Sequence, residues 1–204
     1  MIPFPKWRTN LPPRKPESAM VEVLIGAWVD SRPEADFITL WDEIIDPECL
    51  PYLAKAGGAT ENQLILAACA VARLCLHLVP EGEDRPRVAI ETTEAWVRGE
   101  ATAEQVKAAT NDAYDAYERT LYPLIEPGIY ADNISHAIFS AYCATTGNIC
   151  ANKSTTIAFA STQTLQAGIE SQIICATIRK HLPFERPPRP KGLTIWQRLA
   201  KEEG

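Results

Sequence analysis

The chain has 204 residues, of which 46% are hydrophobic and 23% charged, and its formal net charge is −6 at pH 7. This composition is that of a globular protein large enough to bury its own core, which excludes a disordered or fibrous chain and makes stabilising metals or disulfides unnecessary. The acidic balance argues against nonspecific binding of nucleic acid by the whole domain.

No targeting or membrane signal is expected from the sequence pattern. The stretch 1–24 lacks a continuous apolar run followed by a small-residue cleavage site, and the longest apolar run, 64–79, is interrupted by Arg73 and His77. Six cysteines without a secretory signal indicate a reducing compartment, in which they act as small buried apolar residues. None forms a CxxC pair, so we expect a cytoplasmic protein without a metal or cofactor.

Proline recurs through the first sixteen residues, and because it lacks a backbone N–H this predicts an extended arm over 1–17. A helical domain over 18–182 is predicted to follow. Its first helix is expected to begin after Ser18 and its second to cover 34–45. The pair Asp46-Pro47 ends this second helix or begins another.

The next helix is predicted to be the centre of the fold. A glycine pair at 57–58 predicts a turn, and Thr60 with Gln63 matches the capping box, in which each side chain bonds the other residue's backbone N–H. Apolar residues cover most of the circumference of the helix over 61–79, which predicts a buried position.

Two further helices follow with clear end signals. Asp84 is predicted to cap a helix over 85–98, and Gly99 to end it. A second capping box at 102–105 opens a helix that we expect to continue to about residue 121.

The last third of the chain predicts two more helices and a second arm. Small side chains over 132–145 predict a tight helix crossing. A long helix is expected over 155–181, with Gly168 as a bend or a close contact. Prolines then predict an extended arm over 183–204 that carries a short amphipathic segment around Trp196. No run alternates as a strand would, so the class is all-α, a single bundle of seven or eight helices with proline-rich arms.

The middle of the chain carries a fixed order of residues: Asp84-Arg85-Pro86-Arg87-Val88-Ala89-Ile90-Glu91, then Trp96-Val97-Arg98-Gly99-Glu100, then 103–118. This pattern, DRPRxAIExxxxWxRGE, resembles the all-helical family of predicted immunity proteins from bacterial polymorphic toxin systems, the fifth family of that kind, which phages also carry. The resemblance implies a non-catalytic protein that neutralises a toxin or defence effector by direct contact. The later helices and both arms depart from the family pattern.

Several residues of this pattern have local structural explanations. Arg87 and Glu91 are four apart and are predicted to pair on the helix surface. Trp96 is expected to anchor the core. Arg85 and Arg98 have no obvious local partner, so we predict that they contact a ligand or partner.

Acids outnumber bases between residues 81 and 118. The two helices of this region are predicted to mimic the charge of nucleic acid and to block a basic cleft, although a solvated helix face explains the same charges. Aromatic side chains among the acids favour an interface, because aromatic anchors supply binding energy that rim charges do not. The predicted partner contacts are Arg85, Arg98, Asp112, Tyr114, Asp115 and Tyr117.

Two alternatives rest on polar residues later in the chain. A phage counter-defence protein would sequester a host factor or a small nucleotide signal in a pocket formed by Asn133, His136, Asn148, Asn152 and Lys153. A small hydrolase would use Asp132 to orient His136 as a general base. The sequence has no phosphate-binding loop, GxSxG or HExxH motif, so we expect no catalysis.

The two arms suggest a second kind of partner. An extended arm gains little by lying on its own domain unless it covers apolar surface, so exchange of arms between copies would build a homodimer. The predicted partners are therefore a protein effector and a second copy of the chain, with no membrane and no direct nucleic-acid contact.

Overall fold

The structure is a computed structural model that describes residues 31, 35, 37–121, 133–146 and 153–184. Within these residues it contains eight α-helices, one short 3-10 helix and no strand, which confirms the all-α class and the expected helix number. Backbone contacts divide these residues into a smaller unit, ending at Ile44 and including Phe184, and a larger unit over 45–183. The predicted arm over 1–17, the helix after Ser18 and the arm beyond Phe184 lie outside the described residues.

The helices in chain order are α1 (Phe37–Glu43), α2 (Leu50–Ala56), α3 (Glu61–Arg73), α4 (Arg85–Val97), α5 (Ala103–Leu121), α6 (Asn133–Thr145), α7 (Lys153–Gln166) and α8 (Ser171–His181), with the 3-10 helix Leu76–Leu78 between α3 and α4. Helix α1 belongs to the smaller unit and the other seven to the larger one.

Aromatic rings hold the smaller unit together. Phe37 and Trp41 lie one turn apart on α1 with nearly parallel rings. The ring of Phe184 contacts both edge-on, with centroid distances of 5.0 Å to Phe37 and 4.8 Å to Trp41. Residues far apart in the sequence thus share one aromatic cluster.

Asp46 marks the start of α2 rather than the end of α1. Its Oδ1 accepts hydrogen bonds from the backbone N–H groups of Glu48, at 2.8 Å, and Cys49, at 3.4 Å. An Asp side chain that bonds the backbone two and three residues ahead forms a turn, and this turn leads into α2. Of the two roles predicted for Asp46, the second is correct.

Helix α3 is the central helix of the larger unit, as predicted. It packs against α4, α6, α7 and α8, and every residue from Ala67 to Ala72 is buried. The capping box is complete, with Thr60 N donating to Gln63 Oε1 at 2.8 Å and Gln63 N donating to Thr60 Oγ1 at 3.3 Å.

The predicted end of this helix at residue 79 is wrong, because α3 ends at Arg73. The chain then tightens, with Leu74 N bonding Val71 O and Cys75 N bonding Ala72 O, three residues back instead of four. The tightened turn allows Cys75 to enter a buried cluster with Ala137 and Ala167.

Gly99 ends α4 in the manner predicted. Its φ of +80° is the left-handed conformation that favours glycine, and Glu100 N bonds Ala95 O across it at 2.8 Å, as in a Schellman cap. The second capping box is also confirmed, with Thr102 N donating to Gln105 Oε1 at 2.7 Å. Helix α5 then runs to Leu121, the predicted end.

Helix α6 crosses its neighbours closely, as its small residues predict. Its buried residues include Ser135, Ala137, Ser140, Ala141 and Ala144. Ser140 Oγ donates to Ala160 O of α7 at 3.1 Å. A serine that bonds the backbone of the facing helix requires closely approaching helices, and small side chains permit that approach.

The single helix predicted over 155–181 is wrong, because two helices, α7 and α8, replace it. Gly168 adopts a φ of +95°, and Ile169 N bonds Thr164 O across it, so the glycine ends α7. A side chain at Gly168 would contact the amide of Asn133 at 3.6 Å. The turn returns α8 toward α3, and both α7 and α8 pack on that helix.

One stretch, Glu61–Leu78, is apolar enough to cross a membrane by length and composition, with a mean hydropathy of 1.2. Half of it is buried within the fold, and it consists of α3, a turn and a 3-10 helix. Helix α3 therefore packs its apolar residues against other helices of the fold.

The structure describes five of the six cysteines, and no disulfide joins them to one another. Four are buried and Cys49 is half-buried, which confirms for those four the predicted role as small core residues. Among the described residues no group of His, Cys, Asp and Glu is arranged to hold a metal ion.

Candidate functional site

Asp84 precedes α4 but does not cap it. Its φ and ψ of −87° and −14° are helical, whereas a capping residue is extended, and its side chain makes no bond to the helix backbone. The carboxylate instead accepts a hydrogen bond from Arg87 Nη2 at 2.8 Å. The predicted cap is therefore wrong, and the predicted pair of Arg87 with Glu91 is confirmed at 3.0 Å.

Arg85 has a local partner that sequence reasoning missed. Its guanidinium donates from Nε to Glu83 Oε1 at 2.7 Å, and Nη2 contacts Oε2. This hydrogen bonding raises the pKa of Arg85 and lowers the pKa of Glu83. The charges of Asp115 and Asp112 also raise the pKa of Arg85, which places both carboxylates within electrostatic range of it.

Arg98 also has a local partner, so the view that neither arginine has one is wrong. Its Nε donates to Glu100 Oε2 at 2.8 Å, and both side chains are more than half exposed. Arg85 and Arg98 lie at opposite ends of α4, about 20 Å apart along the helix axis. The two arginines therefore do not belong to one site.

Trp96 is partly buried, so it is neither fully enclosed nor exposed. The buried residues of α4 are Pro86, Ala89, Ile90 and Thr93. Trp96 instead shares its side of α4 with Val88, which is 43% exposed.

A cleft of about 450 Å³ lies between the start of α4 and the exposed side of α5. Its lining residues are Gly82, Glu83, Asp84, Arg85, Val88, Ala109, Asp112 and Arg119. The structure thus brings together Arg85 and Asp112, two of the predicted partner contacts. Charges of both signs line the cleft.

The acids from residue 83 to residue 94 form ion pairs with arginines of the same chain, whereas those of α5 form no ion pair among the described residues. Each acid between residues 83 and 94 pairs with an arginine: Glu83 with Arg85, Asp84 and Glu91 with Arg87, and Glu94 with Arg73. No ion pair among the described residues includes Asp112 or Asp115, and both are exposed. From residue 83 to residue 118, the acids without an ion pair among the described residues therefore all lie on α5.

Four aromatic rings line the boundary between α5 and α6, and we call them the aromatic seam: Tyr114, Tyr117, Phe139 and Tyr142. Tyr117 stacks on Phe139 with a centroid distance of 4.3 Å, and Tyr114 lies 4.9 Å from Tyr142. Contacts between Phe139 and Tyr142, at 5.4 Å, and between Tyr114 and Tyr117, at 6.1 Å, close the group. Each helix contributes two rings that lie about one turn apart. Because α5 and α6 pack antiparallel, Tyr114 faces Tyr142 and Tyr117 faces Phe139.

Phe139 and Tyr142 were not among the predicted site residues. Their spacing of three residues matches that of Tyr114 and Tyr117, and this repeated spacing was the available signal. The small residues around them directed the sequence-based interpretation of α6 toward helix packing alone.

The predicted contacts on α5 divide between its two flanks. Asp112 lines the cleft with α4, whereas Tyr114 contacts α6. Residues two apart on a helix point about 200° away from each other, so this division follows from helix geometry. Asp112 and Asp115 form one part of the candidate surface, and the aromatic seam forms the other.

His136 is partly buried between α6 and α7. Its Nδ1 lies 2.9 Å from Oε1 of Gln163, within hydrogen-bonding distance. Asp132, the predicted partner of His136, lies outside the described residues. The observed contact gives this histidine a role in joining two helices.

The predicted polar pocket is only partly described, since Asn148 and Asn152 lie outside the described residues. Lys153 begins α7, ten residues before the Gln163 that bonds His136, so it lies about 15 Å along that helix from His136. Asn133 lies beside Gly168, at the opposite end of α7 from Lys153. The structure does not bring Lys153 together with Asn133 and His136.

The chain gives no match to protein-family models, to curated proteins or to solved structures. The candidate site is therefore defined by geometry alone, as the exposed acids of α5 with the adjoining cleft on one flank and the aromatic seam on the other.

Proposed function

We propose that the chain is a non-catalytic, immunity-like protein that neutralises a toxin or defence effector by direct contact through the exposed side of α5. One observation carries this proposal: Asp112 and Asp115 are exposed and take part in no ion pair among the described residues, while the acids from Glu83 to Glu94 are paired.

Unpaired charge on a surface is available to a partner of opposite charge. It raises the rate of encounter with a basic protein, and it discriminates against acidic partners. The resemblance of residues 84–118 to immunity proteins supports the same interpretation, because this segment forms α4 and most of α5.

The adjoining cleft provides a concave site next to the exposed acids of α5. Its volume suits a side chain or loop of a partner, and Arg119 within it provides a counter-charge for that partner's carboxylates. The separation of Lys153 from His136 favours this surface over a polar pocket for a small ligand.

The test begins with affinity capture by the tagged full chain from its native host, with mass spectrometry to identify the effector. The dissociation constant is then measured for the wild type and for the double variant Asp112→Lys, Asp115→Lys. We expect binding to weaken about tenfold or more, since the charges that meet the partner change sign. Neutralisation of the effector should weaken in parallel.

The control is the double variant Glu61→Lys, Glu170→Lys, which makes the same change in net charge at two exposed acids on other helix starts. We expect it to bind like the wild type. Equal affinity of the α5 variant and the wild type would reject the proposal, as would turnover of a substrate that is lost in His136→Ala.

A further inference from the structure

The aromatic seam leaves ring surface at the exterior. Tyr114 is 37% exposed, and Tyr117, Phe139 and Tyr142 are each only partly buried. By contrast, Leu64 and Ile138 in the neighbouring core are almost fully enclosed. The aromatic seam therefore joins α5 to α6 and also exposes part of its ring area to solvent.

The charge around the seam selects the kind of group that binds it. Hydrogen bonding to Glu118 raises the pKa of Tyr114, so a carboxylate lies at the edge of the ring cluster. The exposed acids Asp112 and Asp115 follow the other flank of the same helix. An anionic group would be repelled here, and a cation would gain from both the rings and the carboxylates.

Aromatic faces attract cations through the negative potential of the ring, and they distinguish arginine from lysine. The guanidinium group is planar, weakly hydrated and able to stack, whereas an ammonium group is compact and strongly hydrated. A cluster of partly exposed rings with a carboxylate at its edge matches the first group better than the second.

We propose that the aromatic seam binds an arginine side chain of the partner protein, with Glu118 as its counter-charge. This inference rests on the proposed function and specifies the chemistry of the effector surface that meets α5: a basic segment that includes arginine, seated across the boundary between α5 and α6.

The test uses hexa-arginine and hexa-lysine peptides, which carry the same charge, so it requires no knowledge of the effector. Titration calorimetry at low salt gives the two affinities, and the aromatic proton resonances of the full chain report where each peptide binds. We expect hexa-arginine to bind about fivefold more tightly, which corresponds to one cation–π contact of about 1 kcal/mol. We also expect shifts of the seam resonances with hexa-arginine.

Two variants separate stacking from charge. Tyr114→Leu removes the most exposed ring, and we expect it to remove most of the preference for arginine while retaining binding of hexa-lysine. The control Asp112→Asn, Asp115→Asn should weaken both peptides to the same extent and leave the preference intact. Because Tyr114 is 37% exposed, its replacement should leave the helical fold intact and the far-UV circular dichroism unchanged.

Equal affinity for the two peptides in the wild type would overturn the inference, and so would a preference that survives Tyr114→Leu. These outcomes are distinct from failure of the proposed function. An arginine preference without a captured effector would count against the proposed function alone, and a captured effector without the preference would count against the arginine site alone.

Discussion

Arg73 of α3 and Glu94 of α4 form a bidentate ion pair that joins the central helix to its neighbour. Arg73 donates from Nε at 2.9 Å and from Nη2 at 2.8 Å to the two carboxylate oxygens of Glu94. This geometry is the strongest that an ion pair adopts, because two parallel hydrogen bonds fix both planar groups. The pair joins residues 21 positions apart in the chain.

Replacing Glu94 with Gln should lower the free energy of unfolding by about 1 kcal/mol, the upper end for a partly exposed pair. Urea denaturation measures the loss, which should shrink at high salt. The control Glu100→Gln breaks the exposed pair with Arg98, which spans only two residues, and should leave stability unchanged. Equal losses in the two variants would contradict this prediction.

His181 should make stability depend on pH. Burial lowers the pKa of His181 below its ordinary value of 6.5. The unfolded chain therefore binds a proton that the folded chain resists, and stability should fall as pH drops from about 6.5 toward the lower folded pKa. In His181→Gln this part of the pH dependence should disappear. Thermal unfolding at pH 8 and pH 5.5 measures it, and identical profiles for both proteins would refute the assignment.

The described cysteines should be unreactive in the folded protein. Burial raises the pKa of Cys49 to about 12 and that of Cys175 to about 11, and burial also raises the pKa of Cys69. At pH 8 the thiolate fraction at Cys175 is therefore about one in a thousand. In a Cys150→Ser variant, Ellman's reagent should react slowly with the native protein and rapidly in guanidinium. Rapid reaction of one or more thiols per native protein molecule would contradict this expectation.

Helices α4 and α5 meet through alanine, and a larger side chain there should destabilise the fold. Ala89, Ala109 and Ala113 form a buried cluster on which Tyr142 packs. We expect Ala113→Leu to cost about 1–3 kcal/mol through overpacking. Ala108→Leu, at an exposed position of the same helix, is the control. A similar urea midpoint for the two variants would show that the helices adjust without cost.

Assembly through the arms remains a prediction that truncation can test. Removal of residues 185–204 retains Phe184 on Phe37 and Trp41, whereas removal of residues 184–204 also deletes that ring contact. If arms exchange between copies, both truncations should reduce the mass in light scattering from dimer to monomer. If the truncated proteins contain the same number of subunits as the full chain, arm exchange is contradicted.

Local signals predicted the helix ends that depend on one turn of chain. The capping boxes at Thr60 and Thr102 formed as expected, because both partners lie within three residues and no tertiary contact is needed to align them. Gly99 ended α4 for a similar reason, since its left-handed conformation is favourable only for glycine.

Other helix ends depend on packing and were misjudged. Only His77 interrupts the apolar pattern between Arg73 and Val79, yet α3 ends at Arg73, and Cys75 enters the cluster with Ala137 and Ala167. The end of α7 at Gly168 depends in the same way on the return of α8 toward α3. A continuous apolar sequence is compatible with one helix or with two, and tertiary contacts choose between them.

The candidate site shows the same division. Sequence reasoning found Asp112, Asp115, Tyr114 and Tyr117, since charge and aromatic content are visible in composition. It missed the local partners of Arg85 and Arg98, because these pairs form across turns whose geometry the sequence pattern does not specify. It also missed Phe139 and Tyr142, because their contacts with Tyr117 and Tyr114 form only when α6 packs on α5.

The amino-acid sequence alone determined the all-α class, the central helix and the acidic character of α4 and α5, because these properties follow from periodicity, capping residues and charge. Only the tertiary structure decided which acids remain unpaired and which aromatic rings meet. Ion pairs such as Arg73–Glu94 and ring contacts such as Tyr117–Phe139 join residues distant in the chain, and their formation depends on helix register and direction, which emerge when the helices pack together.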